Sequence, residues 1–331
     1  MSELKVYLYR KEVRQPGNQY DTPIELLNSK QISSSSPNYL SMPTVIKIPG
    51  STSNLGSSFD ACGLALSLYL TVGVEKKGSE FVVSTTGEGA DSLPGDGTNL
   101  IARVARFVAD RRRVKLPAAR LEVSNQIPLA RGLGSSSAAI IAGVTVFEVL
   151  SGEQLETNQI LEYALHFEEH GDNLAPSLLG GLVVTCIVED DEKDKSLIAI
   201  KRDWPPELKV VATIPELEME TSKMRGVLPK ALSHKDAVFN VQRAALLQAI
   251  IAEKRFELLS EALRDRLHQP YRLPRAPGLQ DVIQLNDQTR DYPGLQGAAL
   301  SGAGSTLVAF VTDNATGIAA EMTSRLARHG L

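Results

Sequence analysis

Cysteine is nearly missing from this chain: Cys62 and Cys186 are the two thiols in 331 residues. They lie far apart and form no Cys-x-x-Cys pair. A disulfide framework is therefore excluded, and a reducing, cytoplasmic setting is expected. Both stand in apolar stretches, where a small buried hydrophobe is the expected role. Long apolar runs are also absent. None approaches the ~18 residues needed to cross a bilayer, and the first residues lack the apolar core of a secretion signal, so no membrane partner is expected. Neither sign of charge dominates. Lys and Arg total 35 against 39 for Asp and Glu, a net charge of −4, so no basic footprint for nucleic acid exists. The one dense basic run, Arg111-Arg-Arg-Val-Lys115, falls at the end of a predicted helix, where cations are favoured. Three short signatures are missing too: Gly-Lys-Ser/Thr, Gly-x-Gly-x-x-Gly and the Gly-x-Ser-x-Gly elbow. Ser137 stands where a third glycine would complete the second of these.

What the chain does have is Ile127-Pro128-Leu-Ala-Arg131-Gly132-Leu133-Gly134-Ser135-Ser136-Ser137-Ala138-Ala139, followed by an apolar run to Leu150. That run is long enough for a buried helix, so the glycine–serine loop sits at a helix N-terminus. Backbone N–H groups there lack intrahelical partners and the helix dipole is positive, which suits an anion. Glycine allows close backbone approach to phosphate oxygens. Serine hydroxyls can donate to phosphate or ligate a metal ion. A plain helix cap has the same composition, so the loop alone does not decide.

The length suffices for two domains, or for one α/β unit with a split core. Residues 1–41 carry Gln15-Pro-Gly-Asn-Gln19 and a Ser33–Ser36 run, with little apolar periodicity. They read as a disordered or loosely attached extension, dispensable or preceding a natural start at Met42. Beyond them the pattern predicts strands over 44–48, 64–76, 80–86, 120–124, 181–188, 196–201, 208–214, 295–300 and 306–312. Helices are predicted over 98–114, 135–150, 157–169, 233–267 (broken once), 278–288 and 314–328. Thr98 is the expected N-cap of the first. Strands do not alternate strictly with helices, which argues for an α+β arrangement of two layers and against a doubly wound parallel sheet.

Further segments carry polar groups. Asn54 and Asp60 lie in a glycine loop, Ser51-Thr-Ser-Asn54-Leu-Gly56-Ser-Ser-Phe59-Asp60, between two strands, where turn formation alone accounts for them. His170-Gly171-Asp172-Asn173 follows a helix that bears Glu162, and precedes Gly180-Gly181. Arg225 sits in Thr221-Ser-Lys-Met-Arg225-Gly-Val-Leu-Pro229, and Arg272 in a proline-bracketed segment. Either is an ordinary surface residue or a bidentate grip for a carboxylate. Finally, Ser301-Gly302-Ala-Gly304 links two apolar strands with more N–H donors than a tight hairpin needs.

Five of these segments, at 51–60, 127–139, 170–181, 221–229 and 301–304, resemble in their order along the chain, within the span from residue 44 to about 312, the GHMP kinases, and within that group most resemble the homoserine kinases. The resemblance implies a two-lobed α+β GHMP-kinase-like fold with ATP and substrate in the cleft between the lobes. The lobes would be an ATP-binding N-terminal one over 42–190 and a C-terminal one over 191–331. It implies that Pro128 and Arg131 to Ser137 cradle ATP, that Ser136 and Glu162 hold Mg²⁺, and that L-homoserine meets Asn54, Asp60, His170, Asp172, Asn173, Arg225, Arg272 and Gly302. An amino acid brings an ammonium, suited to carboxylates such as Asp60, and a carboxylate, suited to Arg225 and Arg272. Mevalonate brings no ammonium.

Relatives place an aspartate base where this chain has Asn173. An amide cannot take a hydroxyl proton, so direct transfer without a side-chain base is expected, with Asp172 the alternative base. Gly50, Ser53, Ser57 and Ser58 replace the family's Ala, Ala, Pro and Gly, Gly171 replaces a proline, and Ser305 stands where proline is common. None removes a charged group. A kinase for another small alcohol and a non-catalytic metabolite sensor fit the same fold. Homodimers are common in cytosolic enzymes of this type, but no interface signature is visible.

Overall fold

Apolar alternation in two neighbouring segments builds the spine of the molecule. The computed structural model describes residues 25–27, 44–190 and 193–331. Strands β2 (Thr44–Ser53) and β3 (Cys62–Lys76) pair antiparallel in a seven-stranded sheet. The main path of that sheet runs β1 (Glu25–Leu27), β2, β3, β5 (Ala119–Asn125), β4 (Val82–Gly87). The long β3 serves two neighbours on one side. Its Leu70–Lys76 end pairs with β5, and its Cys62–Leu64 end pairs with β6 (Leu182–Asp190), which carries β7 (Lys193–Arg202). Only β4 and β5 run parallel among the described strands.

Helices α1 (Leu100–Arg112), α2 (Ser135–Ser151), α3 (Thr157–Leu165) and α4 (Leu174–Leu179) pack with this sheet. Helix α2 is apolar nearly all round, with Ile140, Ile141, Val144, Val146 and Phe147 buried, as expected of a helix in the middle of a core. Gly143 permits this. A Cβ there would stand 2.6 Å from the Val104 side chain and 2.7 Å from the Ile101 carbonyl, so α1 packs directly on its backbone. The buried α2 is thus packed closely against α1, and its first residues, Ser135–Ser137, line a cavity.

The second sheet has three antiparallel strands in the order β8 (Lys209–Thr213), β10 (Leu307–Val311), β9 (Leu295–Leu300). The same part of the chain carries α5 (Thr221–Gly226), α6 (His234–Glu253), α7 (Leu259–Ala262), α8 (Gln269–Arg272), α9 (Pro277–Ile283) and α10 (Ala315–Ala327), of which α7 and α9 pack on β9 and α10 on β8. No described helix is long and apolar enough to cross a membrane.

Several expectations need correction. The N-cap of α1 is Asn99, whose side chain accepts from the Ile101 N–H, while the Thr98 hydroxyl is taken by Asp96 at 2.6 Å. Helix α3 stops at Leu165 rather than 169. The 233–267 run breaks once, as expected, where Lys254 adopts a left-handed conformation that ends α6, but the 3₁₀ turn and α7 that follow stop at Ala262 rather than 267. Cys186 is exposed, because it lies on the outward face of β6. Within the N-terminal extension, Glu25–Leu27 pairs with Val45–Lys47 of β2, so that piece is sheet-bound. The rest of 1–41, and Met42, lie outside the described residues. A boundary at 190/191 would cut the β6–β7 hairpin, whose pairing runs from Leu182–Arg202 to Asp190–Lys193.

Candidate active site

The phosphate-type loop has the predicted setting. Gly134 is the N-cap of α2 in a left-handed conformation and contributes no side-chain cap, so the first-turn N–H groups of Ser135, Ser136 and Ser137 have no intrahelical acceptor. Two glycines let the loop seat deeply. A Cβ on Gly134 would stand 2.3 Å from the Ser51 hydroxyl and 3.0 Å from the Asn173 Oδ1. One on Gly132 would stand 2.1 Å from the Ser301 carbonyl oxygen. The loop is pinned on both sides: Ser51 N–H donates to the Leu133 carbonyl, Thr306 N–H to that of Arg131, and the Ser301 hydroxyl to that of Gly132 at 2.6 Å. Phosphate-loop and second-sheet residues therefore share one wall.

Across from this wall lies a cluster of charge. Every residue predicted for the site except Glu162 lines one cavity of about 560 Å³. Asn54 is a scaffold member: its amide donates to the Gly302 carbonyl at 3.0 Å and accepts from the Asp60 N–H at 3.0 Å. Asn173 is clamped between serines of β2, its Oδ1 accepting from Ser51 and its Nδ2 donating to Ser53, both at 2.9 Å. Arg225 makes two hydrogen bonds to Asp60 at 2.9 Å. Burial works against the Arg225 charge, but Asp60 more than offsets it and raises the pKa. Arg272 is 2% exposed and donates to the Gly302 and Met224 carbonyls. Burial lowers its pKa to about 10, which leaves it protonated at neutral pH.

Asp172 carries an oxygen with no hydrogen-bond partner, 3.8 Å from His170 Nδ1. Burial raises its pKa to about 6, opposed by His170 and reinforced by the Asp60 charge. Glu168 lies beside the loop and accepts from the Ser137 hydroxyl at 2.7 Å. Burial raises its pKa as well, and hydrogen bonds from Ser137 and Ser136 only partly counter this.

The sequence has relatives of known name. Residues 99–181 match the GHMP kinases N terminal domain. A homoserine kinase of Desulfitobacterium hafniense is 38% identical over 287 residues, covering 86% of this chain and 93% of that protein. One from Schizosaccharomyces pombe is 35% identical over 316 residues, with the same two coverages, 86% and 93%. This chain belongs to the homoserine kinase family of the GHMP kinases. Its fold agrees. The crystal structure of homoserine kinase from Cytophaga hutchinsonii matches with a TM-score of 0.70 at 24% identity, over 86% of this chain and 90% of that one.

One residue expected at the site lies outside the cavity. Glu162 lies on α3, half-buried and away from the cavity. Helix α3 ends at Leu165, and the connection that follows brings Glu168 over Ser136 and Ser137 instead. Extending the helix to 169 conceals this, because it keeps Glu168 on a helical face rather than in a loop. Two further residues escaped the sequence reading. The Phe59 ring lies under both Arg225 and Arg272, and His268 stacks on it. A single phenylalanine between Ser58 and Asp60 and a histidine between Leu267 and Gln269 carry no local signal of a shared platform.

Proposed function

We propose that this cavity transfers the γ-phosphoryl group of ATP to the side-chain hydroxyl of L-homoserine, giving ADP and O-phospho-L-homoserine. One observation carries the reading. An N–H-rich loop at the N-terminus of a buried helix and a cluster of two arginines and two aspartates open into the same cavity. Phosphate at such a helix end is favoured by the unpaired N–H groups and the dipole. The charged cluster suits a small zwitterion.

The two poles of that zwitterion have different partners. The unpartnered Asp172 oxygen is the better seat for the ammonium, because Asp60 already spends both oxygens on Arg225. Arg272, which has no carboxylate within ion-pairing distance among the described residues, is the better grip for the carboxylate, with Arg225 beside it. The δ-hydroxyl then lies near Asn173 and the loop. Attack of its oxygen on the γ-phosphorus breaks the bond to the β-phosphate oxygen, and the proton passes to the transferred phosphoryl group or to water. Asn173 cannot accept that proton, and its serine clamp fixes it as an orienting group. Alignment and charge neutralisation carry most of such a transfer.

The donor set fits Mg²⁺. Ser136 supplies a hydroxyl, and Glu168 a buried carboxylate that a divalent cation would hold ionised. Bound there, the ion would neutralise charge on the phosphates. Ser137 already orients Glu168 through its hydroxyl. The lobe boundary belongs between Arg202 and Lys209, because β7 closes the first sheet and β8 opens the second.

The test is coupled ADP release with Mg·ATP against L-homoserine, D-homoserine, L-serine, mevalonate and galactose. Turnover confined to L-homoserine is expected. Turnover on mevalonate or galactose instead would overturn the pocket assignment, and binding of ATP with no turnover on any alcohol would point to a sensor.

A further inference from the structure

Two like charges sit close together in this cavity, and a shared aromatic platform holds them. The Arg225 Cζ lies 5.3 Å, and the Arg272 Cζ 5.1 Å, from the centroid of the Phe59 ring. The His268 ring stacks on the same phenylalanine, with centroids 5.3 Å apart and planes 27° from parallel. The ring face carries negative charge density, so it attracts both guanidinium groups.

His268 is oriented by its surroundings. It is fully buried, and its Nε2 lies 2.8 Å from the Gly56 carbonyl oxygen. A carbonyl only accepts, so the proton sits on Nε2 and the Nδ1 lone pair is free. That lone pair faces Arg272 Nη1 at 3.5 Å. Neutral imidazole is required for this contact, and both burial and the Arg272 charge work against a second proton. The segment bearing the ring is held by Asp265, which accepts the backbone N–H groups of Leu267, His268 and Gln269 at 2.9, 2.8 and 2.6 Å.

We propose that Phe59 and His268 are positioning residues that fix the two arginines at the separation the substrate carboxylate requires, and so set the preference for an amino acid over a plain amino alcohol. The inference rests on the reading of Arg225 and Arg272 as the carboxylate grip. Neither Phe59 nor His268 touches the reacting atoms in this scheme. Each acts through an arginine.

The probe is 3-amino-1-propanol, which is homoserine without its carboxylate. It is measured as a substrate or, where turnover is below detection, as a competitive inhibitor, beside L-homoserine. In Phe59→Leu and His268→Gln, kcat/KM for L-homoserine should fall about 10- to 100-fold through KM, with kcat and the KM for ATP changed less than about 3-fold. The affinity for 3-amino-1-propanol should stay within about 3-fold, so discrimination between the two collapses. Equal losses for both compounds, or unchanged discrimination, would overturn the proposal. Arg272→Gln separates this from the underlying reading. If Arg272→Gln leaves discrimination intact, the carboxylate assignment itself fails. If Arg272→Gln abolishes discrimination and the platform variants do not, only the platform fails. Should His268→Gln not fold, as judged by thermal melting, Phe59→Leu decides alone.

Discussion

Arg225 and Asp60 face each other as a bidentate pair, although 165 positions separate them in sequence. Each had been expected to meet an opposite pole of the substrate, and here each is the other's partner. About one-third of each side chain is exposed, at 35% and 33%, so solvent screening leaves the pair a small part in stability. Its larger effect is to hold the Arg225 guanidinium in one orientation. Asp60→Asn should therefore keep the melting temperature within about 3 °C, while raising the KM for L-homoserine about 10-fold or more. Thermal melting and steady-state kinetics on the same preparation check this. A large stability loss with normal KM would make the pair purely structural.

Glu168 and Glu162 differ in address, and the difference can be measured. Glu168→Gln should raise the Mg²⁺ concentration needed for half-maximal rate and lower kcat by about 100-fold, on the scale of lost metal or outer-shell support. Glu162→Gln should stay within about 2-fold of the parent, because it lies on α3 outside the cavity. Rate measured across a Mg²⁺ series for both variants decides. The reverse pattern would restore the expectation read from sequence.

Asp172 links pH to both stability and binding. Its carboxyl has a pKa of about 6 in the folded chain against 3.8 for the unperturbed group. Between those values the folded state holds a proton that the unfolded state has released. Its contribution to stability therefore falls as pH rises from about 4 to 6, and the penalty is fully present above that window. Asp172→Asn should accordingly be more stable than the parent at pH 7.5, by about 1–3 kcal/mol, with the gap closing near pH 4. Denaturant titrations at the two pH values read it. In the parent, kcat/KM for L-homoserine should fall as pH drops below about 6, because a protonated Asp172 cannot pair with an ammonium. If Asp172→Asn lost about 1000-fold in kcat with intact substrate binding, Asp172 would be a general base and the base-free transfer would be wrong.

The first sheet, the buried α2 and its N-terminal loop were legible in the sequence, because period, glycine placement and a long apolar run agree there. The β9 boundaries were read without error at 295–300. What escaped has physical causes. The sequence around 190/191 is rich in charge and looks like a linker, yet β6 and β7 pair as far as Asp190 and Lys193, with apolar partners such as Ile187 and Leu197 nearby. The end of α3 has no glycine or proline to mark it, and a helix read through to 169 hides that Glu168, rather than Glu162, lines the cavity. The Asp60–Arg225 pair and the Phe59–His268 stack depend on approach between distant segments, which no local spacing encodes. In the N-terminal stretch, three residues, Glu25–Leu27, extend the sheet even though their neighbours gave no strand pattern.

The contact of Ser301 with Gly132 has a consequence for how such enzymes could be recombined. The Gly132 carbonyl accepts from a hydroxyl of the second sheet's loop, and no Cβ fits between the two backbones. A chimaera that joined the first sheet of this chain to the second sheet of a distant relative would inherit half of that joint. Even with its loop sequence unchanged, the seat proposed for the nucleotide would take a shape set by the foreign half. Exchange between family members should therefore succeed when the two strips of backbone travel together, and fail at the nucleotide when they are parted.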